Sequence, residues 1–184
     1  MNRVQRAHEH TAMPWANGKG VTYQVATFPP AADLNSFSWR ISMADVPESG
    51  PFSVFTGIDR ILTVIEPSDL RLYVNDVAVM ARRHVPVAFS GDDDVRAELI
   101  DGPITDLNVM TRRGSCTAEV DVERVEAAFM ISAGAEVTRV AVVLDGTITT
   151  ALGELLNPRD ALLITDDTSL EGQGTIALIT IHHG

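Results

Sequence analysis

The amino-acid sequence predicts an all-β protein with little helix. Short runs rich in β-branched residues recur along the 184-residue chain, and segments rich in Gly, Asp, Pro and Asn separate them. No long segment has apolar residues at the spacing of an amphipathic helix, and the best helical candidate, residues 122–130, covers barely two turns. Short strands at close spacing predict an antiparallel sandwich or barrel.

Four strands are predicted in the first half of the chain. Residues 61–65 (ILTVI) are a β-branched run, and residues 70–74 alternate apolar and polar side chains as a half-buried strand does. Residues 85–89 and 95–99 follow at short intervals. Turn-forming residues lie between these segments, as expected for an antiparallel sandwich or barrel.

The second half of the chain repeats the pattern of apolar strands and tight turns. Residues 139–144 resemble residues 60–65, and Asp145-Gly146 is expected to form a tight turn before a strand at 147–152. A turn at 157–160 precedes the apolar run 161–164, and residues 174–181 close the set. Two similar β-units in one small chain suggest a duplication whose halves pack face to face.

The order of these elements resembles half of a cupin barrel. We therefore expect a single bicupin domain over residues 1–184, with two jelly-roll-like β-barrel lobes formed by an internal repeat. The first lobe would cover roughly residues 14–113 and the second roughly residues 114–183.

Composition and charge exclude several classes of partner. The chain has 25 acidic and 14 basic residues and a net charge of −11, so it lacks the cationic surplus that nucleic acid or an anionic membrane surface requires. The longest apolar runs are far shorter than a membrane span, and the polar N-terminus does not resemble a signal peptide. We therefore expect a cytoplasmic protein that binds neither nucleic acid nor membrane.

Metal and nucleophile signals are weak. The pair in residues 8–10 has the His-x-His spacing of cupin metal ligands, but no Glu follows at the required distance, and His84 stands alone. The two histidines at 182–183 would point to opposite faces of a strand. With a single cysteine, Cys116, the chain cannot form an intramolecular disulfide, and we expect this residue to be an inert core residue. We expect no metal, no other cofactor and no nucleophilic catalytic set.

Polar and aromatic side chains are concentrated in four segments, namely residues 13–22, 39–42, 50–60 and 106–113. On a strand, Arg40 and Ser42 would share one face, and Asp106 would share another with Asn108, Met110 and Arg112. A buried face with such charges is costly unless its groups find partners, so it forms either an internal network or a pocket.

We expect these segments to converge on a pocket for a small anion. Arg40, Arg60 and Arg112 would bind a carboxylate, since guanidinium groups form paired charge-assisted hydrogen bonds with it. The remaining candidates would orient the ligand or form walls of the site, and they are Trp15, Asn17, Ser42, Phe52, Ser53, Asp106, Asn108 and Met110. The alternative is structural: Arg40 and Arg60 pair with Asp59 or Asp106 inside the barrel, and Trp15 closes one end of it.

The same segments resemble the HutD/Ves family of the cupin superfamily, in the family's order and over most of residues 1–115. The matching motifs are Pro14-Trp15-x-Asn17-Gly18-x-Gly20-x-Thr22, Trp39-Arg40-Ile41-Ser42, Gly50-Pro51-Phe52-Ser53 through Gly57-Ile58-Asp59-Arg60, Phe89-Ser90-Gly91-Asp92, and Asp106-Leu107-Asn108-Val109-Met110-x-Arg112-Arg113. One departure is Tyr23-Gln24, where the family often has Arg-Glu.

The resemblance implies an RmlC-like bicupin fold without the usual cupin metal ligands. HutD members are associated with bacterial histidine utilisation and have been proposed to bind an intermediate such as N-formylglutamate. Ves-type members are linked to stress responses. We therefore expect a non-catalytic protein that binds a small anionic metabolite and modulates histidine utilisation.

Two other functions stay open. The first is a metal-independent cupin enzyme, an isomerase or hydrolase, in which Asp106 beside Arg and Asn acts as a general base. The second is a stress-related interaction protein whose acidic surface, including the three aspartates at 92–94, meets a basic partner. A homodimer through edge strands is also possible.

Overall fold

The computed structural model describes residues 1–15 and 18–184. Its strands run in chain order as follows: β1 Arg3–Gln5, β2 Thr11–Pro14, β3 Val21–Phe28, β4 Trp39–Val46, β5 Gly50–Pro51, β6 Ile58–Glu66, β7 Leu70–Val74, β8 Val77–Ala81, β9 Val87–Ser90, β10 Val95–Leu99, β11 Ile104–Arg112, β12 Cys116–Val125, β13 Phe129–Ile131, β14 Val137–Thr150, β15 Leu155–Leu156, β16 Ala161–Ile164 and β17 Thr168–His183. A 3₁₀ helix covers Ala7–Glu9. Within the described residues, no helix has the length and apolar character to span a membrane.

The chain divides into two compact units. Thr11–Thr117 form the central unit, whereas Met1–His10 and Ala118–Gly184 together form the terminal unit. The all-β prediction is confirmed. Over the described residues the strands of each sheet pair in an open order, so the expected closed barrels are not observed.

The central unit consists of two sheets that share an apolar core. The larger sheet has the order β2-β3-β4-β11-β6-β9, and the smaller has the order β5-β10-β7-β8. Apolar side chains of both sheets, among them Leu62, Val64, Leu70 and Leu72, are buried together. The predicted strands 70–74 and 95–99 form with those bounds, and the run 61–65 lies inside the longer β6.

The terminal unit is built on one large sheet. Its order is β1-β16-β14-β17-β12, with β13 paired to β17 and β15 paired to β14. The core lies among β14, β16 and β17, where Ala141, Val143, Leu162 and Ile176 are buried. Near the beginning of the chain, the Arg6 side chain and the Ala7 amide both donate hydrogen bonds to the Asp160 carboxylate of this unit.

Two local predictions for the second half are wrong. The helical candidate 122–130 forms the end of β12 and the start of β13 instead, because valines at 120, 122 and 125 serve an extended strand equally well. The expected turn at Asp145-Gly146 is an irregularity inside β14, whose register with β17 shifts between Val143 and Asp145. Gly146 has a φ of 74°, and a Cβ there would collide with the Gln173 carbonyl.

Candidate functional site

A cavity of about 520 Å³ lies in the central unit. Strands β2, β3, β4, β6 and β11 contribute to its lining, together with the segments around residues 34 and 51–55. The lining residues are Met13, Pro14, Trp15, Thr22, Leu34, Arg40, Ser42, Ala44, Val46, Pro51, Phe52, Ser53, Phe55, Arg60, Asp106, Asn108 and Met110. Apolar walls thus surround a small group of charged and amide side chains, as is typical of small-molecule sites.

The strand register explains why the polar side chains meet. Met110 on β11 lies opposite Arg40 on β4 and opposite Arg60 on β6, so the two arginines flank it. Two residues further along the strands, Asn108 lies opposite Ser42. Since alternate residues of a strand share a face, Asp106, Asn108 and Met110 all face the cavity. The predicted alternation of β4 and β11 is therefore confirmed over these positions.

Arg60 is a buried cation with incomplete hydrogen bonding. Its side chain is 5% exposed, and one Nη donates to the Asn108 Oδ1 at 2.9 Å. The other Nη reaches the Ser53 carbonyl at 3.4 Å, and Nε has no partner among the described residues. Burial lowers the pKa of Arg60 to about 10 despite the opposing effect of Asp106, so Arg60 is charged at neutral pH. The Arg60 side chain lines the cavity, but Nε itself is not accessible from it.

Aromatic rings surround the Arg60 guanidinium. Its central carbon lies 5.5 Å from the ring centroids of Phe52 and Phe55 and 5.0 Å from that of Phe89. At these distances the rings attract the guanidinium through cation–π interactions, which partly offset the cost of burying the charge. Rings also exclude water from the guanidinium, and in a drier environment its attraction for an anion is stronger.

Asp106 and Asn108 form a short chain with Arg60. The Asn108 Nδ2 donates to Asp106 Oδ1 while the Asn108 Oδ1 accepts from Arg60, so the orientation of the amide is fixed by both neighbours. Asp106 is 1% exposed. Burial raises the pKa of Asp106 to about 7, although Arg60 and the Asn108 hydrogen bond act in the opposite direction. The carboxyl group therefore titrates near neutral pH.

Arg40 is the second buried cation of the cavity. Its side chain is 4% exposed, its Nε donates to the Gln24 Oε1 at 2.9 Å, and one Nη contacts the Met13 Sδ at 3.5 Å. Burial lowers the pKa of Arg40. Among the described residues Arg40 forms no ion pair, so its charge has no local compensation.

The indole of Trp15 closes one side of the cavity. Its Nε1 donates to the Thr22 Oγ1 at 2.9 Å, and its backbone amide donates to the Gly20 carbonyl at 2.9 Å. A Cβ on Gly20 would lie 2.8 Å from two ring carbons, so the ring packs directly on this glycine. Asn17, a predicted ligand-orienting residue, lies outside the described residues.

Nine of the predicted site residues line the cavity, but Arg112 does not. Trp15, Arg40, Ser42, Phe52, Ser53, Arg60, Asp106, Asn108 and Met110 line it. Arg112 is the last residue of β11, and it donates to the carbonyls of Phe37 at 2.9 Å and Asn35 at 2.8 Å. The alternation of side chains along β11 predicts that Arg112 shares a face with Asp106. At the end of the strand, however, the groups nearest to Arg112 are backbone carbonyls of the loop before β4.

Sequence reasoning missed most of the apolar lining and the residue that positions Arg40. Leu34 and Val46 carry no pattern that distinguishes them from other apolar residues, and Phe55 lies in the predicted segment 50–60 without being among the predicted site residues. Gln24 was noted only as a departure from the family, yet it accepts a hydrogen bond from Arg40. The register of β3 against β4, which pairs Gln24 with Ser42, could have indicated this contact.

The residues of the cavity do not fit the metal site of many cupins. Among the lining residues, Asp106 is the single carboxylate, and no histidine is present. The His-x-His pair lies in the terminal unit, where burial lowers the pKa of His10 and His8 is exposed. Within the described residues no group of three or more His, Cys, Asp or Glu is arranged to hold a metal ion.

Two further features have structural explanations. The Cys116 thiol is buried, donates to the Ser38 carbonyl at 3.1 Å, and has a pKa raised by burial, so it is not an activated nucleophile. The carboxylates of Asp92 and Asp93 have partners within the protein. Asp92 forms an ion pair with Arg113, and Asp93 accepts a hydrogen bond from the Ser90 amide.

Comparison with solved structures defines the class of fold. A cupin 2 conserved barrel domain protein from Leptotrichia buccalis superposes with a TM-score of 0.60, covering 99% of this chain and 96% of that chain at 8% sequence identity. At that identity the likeness concerns the fold alone. The protein is therefore an all-β protein of cupin-like fold.

The chain belongs to the HutD family, whose model matches residues 7–180. The structure of HutD from Pseudomonas fluorescens SBW25, described as a formate condition, is 30% identical with a TM-score of 0.85 and covers both chains completely. Protein Ves of Citrobacter koseri is 42% identical over 110 residues, which are 59% of this chain and 56% of that protein. The match thus spans little more than half of this curated relative.

Proposed function

We propose that the protein is a non-catalytic binding protein for a small anionic metabolite. The observation that carries this proposal is the imbalance of charge in the cavity: two buried arginines, Arg40 and Arg60, face one carboxyl group, Asp106, whose pKa is about 7. Buried charge without compensation is costly. An anion beside the Arg60 guanidinium that accepts from the Arg40 donors not used by Gln24 or Met13 reduces this cost, and that supports anion binding.

The cavity is larger than a simple inorganic anion requires. A volume of about 520 Å³ lies within the range of sites for small organic molecules. Apolar walls from Trp15, Leu34 and Phe52 suit the carbon skeleton of an organic acid. We favour N-formylglutamate or a related acid, with modulation of histidine utilisation as the role, since the family membership agrees with it.

Ligand binding is tested by thermal unfolding of the full chain with formate, glutamate, urocanate and N-formylglutamate. A ligand at about a hundred times its Kd adds roughly 2.7 kcal/mol of stability and raises Tm by several degrees. We expect this shift in the wild-type protein, its loss in Arg40→Gln, and its retention in Arg82→Gln, which changes an exposed arginine in the same way. The proposal is wrong if no acid shifts Tm at millimolar concentration.

A metal-independent enzyme is the second candidate. Its supporting observation is Asp106, a buried carboxyl group with a pKa of about 7 beside Asn108, which suits a general base at neutral pH. Incubation of the same acids with the wild-type protein, followed by NMR, distinguishes the two functions. Turnover that disappears in Asp106→Asn while binding persists favours the enzyme, whereas unchanged acids in the presence of binding favour the binding protein.

A further inference from the structure

We infer that binding of an anion in this cavity is coupled to the uptake of a proton by Asp106, so that affinity falls as the pH rises through neutrality. This inference rests on the proposed function and concerns its regulation. It follows from the position of Asp106, which lines the same cavity as Arg40 and Arg60. A carboxylate ligand that binds the arginines brings a second negative charge into a space that Asp106 already shares.

Two negative charges in one buried site repel each other, and one of them takes up a proton. A small carboxylic acid such as formic acid has a pKa far below 7, and the ligand's carboxylate is further stabilised by two guanidinium groups. Asp106 is the more basic of the two carboxylates, because it is 1% exposed and makes no ion pair with the described residues. The proton therefore goes to Asp106.

The groups that face Asp106 do not compete for this role. Arg60 on β6 stays protonated throughout the neutral range, because its pKa is lowered only to about 10. Burial also lowers the pKa of Arg40 on β4 from the high value usual for a guanidinium. Asp45, on the other face of β4, accepts a hydrogen bond from Thr105 at 2.8 Å and raises the pKa of Asp106. Asn108 does not titrate and can donate to either form of Asp106.

Protonation also leaves the hydrogen bonds of Asp106 intact. The Asn108 Nδ2 donates to Oδ1, and this oxygen still accepts the hydrogen bond, although more weakly, in the neutral acid. A proton on Oδ2 would give the cavity one more donor, which a bound carboxylate can accept. The neutral form thus removes a repulsion and adds an attraction, so both effects favour uptake of the proton on binding.

The test is calorimetric titration of the wild-type protein with formate between pH 6 and pH 8. Formate stays ionised over this range, so any proton taken up goes to the protein. We expect Kd to rise about tenfold from pH 6 to pH 8, the limit for one site with a pKa near 7. At pH 8, titration in two buffers that differ in ionisation enthalpy should show uptake approaching one proton per formate bound.

The Asp106→Asn variant keeps an acceptor for Asn108 but cannot titrate. We expect its Kd for formate to be independent of pH and close to that of the wild-type protein at pH 6. Asp76→Asn, the same change at an exposed turn between β7 and β8, should retain the wild-type dependence. A constant wild-type Kd with no proton uptake overturns the inference, and the buffer comparison needs no variant. Absence of binding by formate and glutamate at every pH would instead overturn the proposed function.

Discussion

At the scale of single residues, the site depends on how far each charge is compensated. Arg112 satisfies its donors on the carbonyls of Phe37 and Asn35, whereas Arg60 leaves Nε without a partner among the described residues. The sequence could nominate all three arginines, because residue type and alternation carry that information. It could not separate them, since the difference lies in which loop carbonyls are near each guanidinium.

Gly20 is predicted to position the Trp15 wall of the cavity. In Gly20→Ala the new Cβ would lie 2.8 Å from the indole, so the ring must move while the backbone stays. We expect weaker binding of formate and a changed tryptophan fluorescence spectrum. Gly50→Ala is the control, because nothing lies within 4 Å of a Cβ there. Equal affinity of the two variants would show that Trp15 does not shape the site.

At the scale of elements, strand predictions succeeded where alternation was clear and failed where a strand continued through a turn-like dipeptide. The bounds of β7, β10 and β16 follow from their apolar patterns. Strand β14 continues through Asp145-Gly146 because its partner β17 has glycines at 172 and 174, which allow the two backbones to approach closely. That approach is a property of the pair, and the local sequence of either strand does not predict it.

The close approach of β14 and β17 makes a prediction about Gly174. A Cβ at this position would collide with the Asp145 carbonyl, and a backbone atom cannot move aside as a side chain can. We expect Gly174→Ala to lower the free energy of unfolding by about 1–3 kcal/mol, as overpacking typically does. Denaturant unfolding measures it, with Gly50→Ala as the matched change in open space. A difference below about 0.5 kcal/mol between the variants would contradict the account.

At the scale of the whole molecule, the pocket is a small cationic region in a chain with a net charge of −11. Its buried carboxyl group links the site to global stability. The pKa of Asp106 is about 7 in the folded protein and near 4 when unfolded, so the folded state holds the extra proton between these values. Stability from this group is fully present below about pH 4 and is lost as the pH rises to about 7.

We therefore expect Asp106→Asn to flatten the pH dependence of stability. Relative to the wild-type protein, the variant should gain stability at pH 8 compared with pH 5, because it lacks the group that must ionise while buried. Denaturant unfolding at the two pH values measures the difference, and Asp76→Asn should leave the wild-type profile unchanged. A variant profile parallel to that of the wild-type protein would mean that Asp106 titrates normally in the folded state.

The central claim is that Arg40 and Arg60 together bind the anion. The most direct measurement is NMR of the arginine Nε–H groups during a formate titration, with signals assigned through Arg40→Gln, Arg60→Gln and Arg112→Gln. We predict saturable shifts of the Arg40 and Arg60 signals with one common Kd, and no comparable shift for Arg112. Formate that leaves both pocket signals unmoved, or that shifts Arg112 instead, would contradict the account.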